Sequence, residues 1–132
     1  MPRIPVTILT PAAEGFNDMS EARLKAEIWV RAQLRLCDQA FLPAVIRRKG
    51  DPDAGAVLIK LDRLDGTATV LSQVRDADGR RAWMQATGEA PAADAEAESY
   101  IARELKFDPD IWVVEIEDAD GKYLEMIDGG LV

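Results

Sequence analysis

Turn chemistry punctuates this chain at short intervals, and that spacing constrains the fold more than any other feature. GDPDAG stands at 50–55, Asp65-Gly66 follows, and DADG occurs at 76–79 and again at 118–121. Asp and Gly accept the backbone dihedrals that tight turns need, Gly because it lacks a Cβ. Between the turns lie short runs that read as strands: AVIRRK (44–49), β-branched in its middle, AVLIKLD (56–62), TATVLSQV (67–74), RRAWMQA (80–86), IWVVEIED (111–118) and KYLEMI (122–127). Strands joined by such short turns run antiparallel, because a parallel pair needs a crossover of a dozen residues or more. The repeated DADG reads as two similar hairpin turns. As calcium loops they fail, since alignment to an EF-hand puts Val74 or Ile116 at the first ligand position.

Two segments carry a helical period instead. In AEIWVRAQLRLCDQA (26–40), Val30, Leu34, Cys37 and Phe41 fall at helical spacing and form an apolar face. Pro43 ends the helix. In ADAEAESYIARELK (93–106), Ala97, Ile101 and Leu105 make the stripe, with Tyr100 beside it. Asp94, Glu96 and Glu98 crowd its start and Arg103 and Lys106 its end, the polarity that suits a helix dipole. Asp108-Pro109 stops it. The expected fold is α+β: an antiparallel meander of about four strands plus a C-terminal hairpin, with two helices packed on one face in two layers.

The period-2 alternation assigns faces. Trp112, Val114 and Ile116 share one side of their strand and belong to the core, while Val113, Glu115 and Glu117 share the other, with the carboxylates solvated. Val57, Ile59 and Leu61 face the helices. Ala56, Leu58 and Lys60 then point outward, near Trp83 or Leu71, on a half-apolar face that invites a cover. Residues 1–18, the segment Gly129–Val132 or a second copy of the protein could supply it; the alternative is scattered surface apolar residues, which need no cover. Residues 1–18 are proline-punctuated and aperiodic: either a real extension, disordered beside a single α+β domain over 19–132, or, the favoured reading, non-native residues upstream of a natural start at Met19.

Composition enters through what is missing. The 132 residues include no histidine and one cysteine, Cys37. Ser-His-Asp and Cys-His nucleophile systems are excluded, as are histidine metal sites and an intramolecular disulfide. No metal and no cofactor is expected. A lone cysteine fits a reducing, cytoplasmic setting, and no stretch approaches the ~20 apolar residues of a membrane span. The net charge of −8 disfavours nucleic acid as a partner. Carboxylates placed for hydrolysis need a cleft between them, and nothing in the sequence puts them there.

The densest chemical feature is Arg47-Arg48-Lys49-Gly50-Asp51-Pro52-Asp53-Ala54-Gly55. It joins three cations to a Gly-containing turn in an otherwise acidic chain. One reading makes Arg47, Arg48, Lys49, Gly50, Asp51, Asp53 and Gly55 a site for an anionic small molecule or nucleotide. A strand rather than a helix follows, so no helix dipole assists. The other reading is a β-connection with Asp51 and Asp53 paired to the neighbouring arginines. Strand alternation would point Arg47 and Arg48 opposite ways, so that one of them lines any given site.

Three stretches, LKAEIWVRAQLRL, RRKGDPDAGAVLIKLDRLDGTATV and YIARELKFDPDIWVVEIED, together resemble a small bacterial family catalogued as domain of unknown function 1491, over about residues 22–120. The resemblance implies a cytosolic bacterial protein and carries over no catalytic residue. With the usual catalytic repertoire missing, the expected function is a small binding or protein-interaction module, homodimeric through the open sheet face. The alternative is an anion binder, conceivably an enzyme, working through the 47–55 loop.

Overall fold

The computed structural model describes residues 25–127 and Leu131. The expectations for residues 1–18 and Met19 lie outside the described residues, as do those for the C-terminal segment apart from Leu131. Helix α1 (Ala26–Gln39) leads into a mixed sheet of β1 (Ala44–Arg48), β2 (Val57–Asp62), β3 (Thr67–Arg75), β4 (Arg81–Gln85), β5 (Ala92–Ala93) and β6 (Trp112–Glu117). Helix α2 (Asp94–Phe107) lies between β5 and β6, and a short α3 (Lys122–Met126) follows β6. The strand order is β1-β6-β2-β3-β4, with β5 paired to the start of β3.

The fold is α+β, but the meander is interrupted. Strands β2, β3 and β4 form the expected antiparallel series. Strand β6 makes no hairpin with residues 122–127. It slots between β1 and β2, antiparallel to β1 and parallel to β2. The physical reason is its apolarity on both sides: Trp112, Val113 and Val114 are all buried, as are Val57 to Leu61 on β2. Near-continuous apolar strands belong in the centre of a sheet covered on both faces.

The C-terminal hairpin is also corrected, because KYLEMI forms a helical turn. Asp118 is buried, and its carboxylate accepts the amide protons of Lys122 (2.8 Å) and Tyr123 (2.9 Å). Gly121 supplies the positive φ of 75° just before the helix. Tyr123 then turns inward and donates its hydroxyl to Gln33 Oε1 on α1 at 2.6 Å. A short apolar run satisfies either period, and here the buried Asp118 decides.

The helices do not share one face. Ala26, Trp29, Val30 and Cys37 of α1 pack with Val57, Ile59, Leu61, Trp112, Val114 and Ile116. Leu58, Ala68, Val70 and Val113 on the opposite face pack with Ala97 and Ile101 of α2. The architecture therefore has three layers, and α2 is the cover that the half-apolar face requires. Trp83 and Leu71 belong to the α1 side. Trp83 stacks on Trp29 with ring centroids 5.2 Å apart, and the Arg81 guanidinium lies 4.8 Å over the Trp29 ring. Each large side chain buried in these two clusters contributes roughly 1.5–3 kcal/mol.

Candidate functional site

The basic segment does not converge on one point. The register skips Arg47: Ile46 stands opposite Val114, and Arg48 opposite Val113. This β-bulge cancels the alternation that would send Arg47 and Arg48 to opposite faces. Arg48 faces the α2-side residue Val113 and donates to the Pro109 carbonyl at 2.8 Å. Arg47 reaches Glu98 of α2 at 2.7 and 2.9 Å and Glu115 of β6 at 3.1 Å.

Most of the loop amides are engaged within the fold. Asp51 donates its amide to the Asp110 carbonyl (2.9 Å), and its side chain accepts from the amides of Asp53 (3.2 Å) and Ala54 (2.8 Å). The Gly55 amide donates to the Asp51 carbonyl, which also accepts from the Trp112 indole at 2.8 Å. Gly50 and Gly55 both press on the Asp110 carbonyl so closely that a Cβ at either would collide with it. The loop's own carbonyls receive the first amides of α1: Ala26 donates to Asp53 and Glu27 to Pro52. Asp53 pairs with Lys25 at 3.6 Å rather than with an arginine. Lys49 is exposed.

Composition gave no reason to single out the charge cluster beneath α2. Lys60 sits on central strand β2 with 5% of its side chain exposed, and bonds Asp94 at 2.6 Å and Glu98 at 2.5 Å. Burial pulls the Lys60 amine down, but the bonds to Asp94 and Glu98 outweigh it and raise its pKa. The Arg47 guanidinium, with help from Lys60, holds the Glu98 carboxyl at about 2 against the opposing effect of burial. Every charge in this cluster faces an opposite one. It behaves as a clamp between α2 and the sheet, and its lysine stays protonated, unlike a catalytic amine.

The opposite end of the sheet carries a different anomaly. Helix α1 ends in a Schellman motif: Leu42 donates to the Cys37 carbonyl at 2.8 Å and Phe41 to Asp38 at 3.1 Å. The motif needs a left-handed residue, usually Gly. Here Phe41 takes it, with φ 61° and 92% of its surface exposed. Leu64, in the β2–β3 turn, is also left-handed (φ 64°) and 58% exposed. They are the two non-glycine residues with positive φ among the described residues.

Both lie at the same end of the sheet. The Glu117 amide donates to the Pro43 carbonyl and the Asp118 amide to Asp62, so the start of β1 and the ends of β6 and β2 stand side by side. With strands ~4.8 Å apart, Phe41 and Leu64 emerge two strands from each other. Around them stand the exposed Asp65, Glu117 and Asp120, with Lys122 bonded to the Ala40 carbonyl. Sequence reasoning assigned Phe41 to the core by its spacing. The signal it passed over is the missing glycine between the helix and Pro43.

Enclosed chemistry has little support. A cleft of about 280 Å³, lined by Pro43, Ala44, Val45, Glu115 and Glu117, is open to solvent and falls just below the ~300 Å³ at which ligand pockets begin. Burial, with the charge of Asp118, raises the Cys37 thiol to about 11, far from a reactive thiolate. No group of three His, Cys, Asp or Glu among the described residues is placed to hold a metal. No described helix is long and apolar enough to cross a membrane.

The profile of a family described as "Protein of unknown function (DUF1491)" matches residues 24–125. The chain belongs to the DUF1491 family. A crystal structure of a DUF1491 family protein from Caulobacter crescentus CB15 is 40% identical, covers 83% of this chain and 99% of its own, and superposes with a TM-score of 0.72. An NMR structure of a DUF1491 family protein from the same organism gives 40% identity, 83% and 97% coverage and a TM-score of 0.70. The solution structure of protein Atu0922 from A. tumefaciens is 28% identical, with 83% and 99% coverage and a TM-score of 0.67. Comparison with proteins of curated function finds no match. The span matched to DUF1491 contains the Lys60 clamp, the 47–55 loop and the Phe41–Leu64 end alike.

Proposed function

We propose that this protein is a protein-interaction module whose docking surface is the Phe41–Leu64 end of the sheet. One observation carries the reading: two large apolar side chains stand exposed in backbone conformations that cost an ordinary residue about 1–2 kcal/mol each, at the same end of the sheet and two strands apart. Folding alone favours glycine at both. Two apolar anchors within a charged rim is the anatomy of a binding hot spot. Asp65, Glu117 and Asp120 outnumber Lys122 and Arg63 at that end, so the partner that fits is a protein with an apolar pocket bordered by Lys and Arg.

A photo-crosslinking amino acid placed at position 41 in native cells tests this. The expected result is one dominant adduct, lost when Leu64→Gly is added and absent when the probe sits at Phe107, an exposed aromatic at the far end. Identical adducts from positions 41 and 107, or none from 41, would sink the reading. A second reading places an anionic small molecule on Arg48 and Lys49, supported by their exposure at the loop. A rise in melting temperature with nucleotides or coenzyme A, abolished by Arg48→Ala, is its signature.

A further inference from the structure

We propose that β1 is a self-recognition edge, on which a second copy of this chain adds its own β1 antiparallel across a two-fold axis. The proposal does not depend on the Phe41–Leu64 reading: it rests on the outward backbone groups of β1, with Glu117 bordering both surfaces. Strand β1 ends the sheet, and among the described residues its outer side has no strand partner. The Glu117 amide bonds the Pro43 carbonyl, and Val45 stands opposite Glu115. In an antiparallel ladder, Val45 therefore turns its amide and carbonyl toward β6, while Ala44 and Ile46 turn theirs outward.

Those outward groups define a register. Ala44 of one copy stands opposite Ile46 of the second, and each Val45 faces the other. Val45 is 55% exposed, a large apolar side chain on an open edge, and the pairing covers it with its own equivalent beside the Pro43–Glu117 cleft. Edges that avoid pairing are blunted by charge, proline or a bulge; here Pro43 and the bulge at Arg47 bound the edge, and Ala44, Val45 and Ile46 between them are uncharged. Arg47, Arg48 and Lys49 close β1, whereas its start is backed by Glu117 on β6.

Charge complementarity then selects the orientation. Antiparallel pairing brings Arg48 of each copy over the Pro43–Glu117 end of the other, on the face that Val113, Glu115 and Glu117 share. Parallel pairing would align six cations along one seam. Attraction in one orientation and repulsion in the other make the contact specific rather than a sticky edge. The occupant is thus a second copy, and the two sheets become one.

The experiment is sedimentation velocity of the full chain from about 1 μM to about 1 mM. A monomer–dimer equilibrium is expected, weakened by raising salt from about 50 to about 500 mM. Ala44→Pro removes an outward amide without touching the β1–β6 ladder, and should weaken association about tenfold or more at an unchanged melting temperature. Arg48→Glu and Glu117→Arg should each weaken it about threefold to tenfold. The double variant, which re-forms each pair with reversed sign, should recover most of the loss. A monomer at every concentration overturns the proposal, as does a dimer indifferent to Ala44→Pro or a double variant no better than the single ones. Leu64→Gly, two strands in from the β1 edge, removes a docking anchor and leaves this equilibrium unchanged, so failure here and failure of the docking surface are separable.

Discussion

Phe41 and Glu98 show how single residues trade stability against other demands. Replacing Phe41 by glycine removes the left-handed strain and loses no buried contact. We expect Phe41→Gly to stabilise the fold by about 0.5–1 kcal/mol, readable as a higher urea midpoint at an unchanged slope, while the position-specific partner contact disappears. A variant that gains stability and loses binding has the profile of a site kept for function. Glu98 pulls the other way. Its carboxyl titrates near 2 when folded and near 4.5 when free. A depressed acid contributes stability above its free pKa, and the contribution fades as pH falls from about 4.5 toward 2. Glu98→Gln should cost about 1 kcal/mol at pH 7, the low end for a charged hydrogen bond, because over a third of the side chain is exposed to screening solvent. The melting temperatures of Glu98→Gln and the parent should converge as pH drops toward 2. A gap that stayed constant with pH would show that the ion pair is not what Glu98 contributes.

Among the elements, the 50–55 loop is better understood as a connector than its composition suggests. It ties the start of α1 to the α2–β6 junction through carbonyls and a backbone contact too close for any side chain. Gly50→Ala should therefore destabilise the protein by roughly 2–4 kcal/mol, and hydrogen exchange should show the first turn of α1 fraying first. What could be read from the chain alone divides along the same line. Turn chemistry and helical period place α1, α2 and every strand but β5 within a residue or two, because these are local properties. The position of β6, the face that α2 covers and the helical turn at 122–126 depend on partners distant in sequence. The double-sided apolarity of IWVV was visible, and it was the one clue that β6 belongs in the centre. Neither the bulge at Arg47 nor the left-handed Phe41 has any local signal beyond an absent glycine.

For the molecule as a whole, charge is organised by region more than its net value of −8 indicates. The clamp sets two cations, Lys60 and Arg47, against Asp94, Glu98 and Glu115, one end of the sheet is apolar within an acidic rim, and the outer edge carries cations at one end and faces acid at the other. An acidic chain can in this way present a selective contact without non-specific adhesion. The parallel β2–β6 pairing also bears on biosynthesis. Strands β1 and β2 are not neighbours and cannot join without β6, so their facing edges stay unsatisfied until residue 117 has left the ribosome. The β2–β4 hairpins can form early, but sheet closure waits for β6. Throughout that interval the nascent chain offers two open seams of Val, Ile and Leu, and chaperone dependence should be concentrated there.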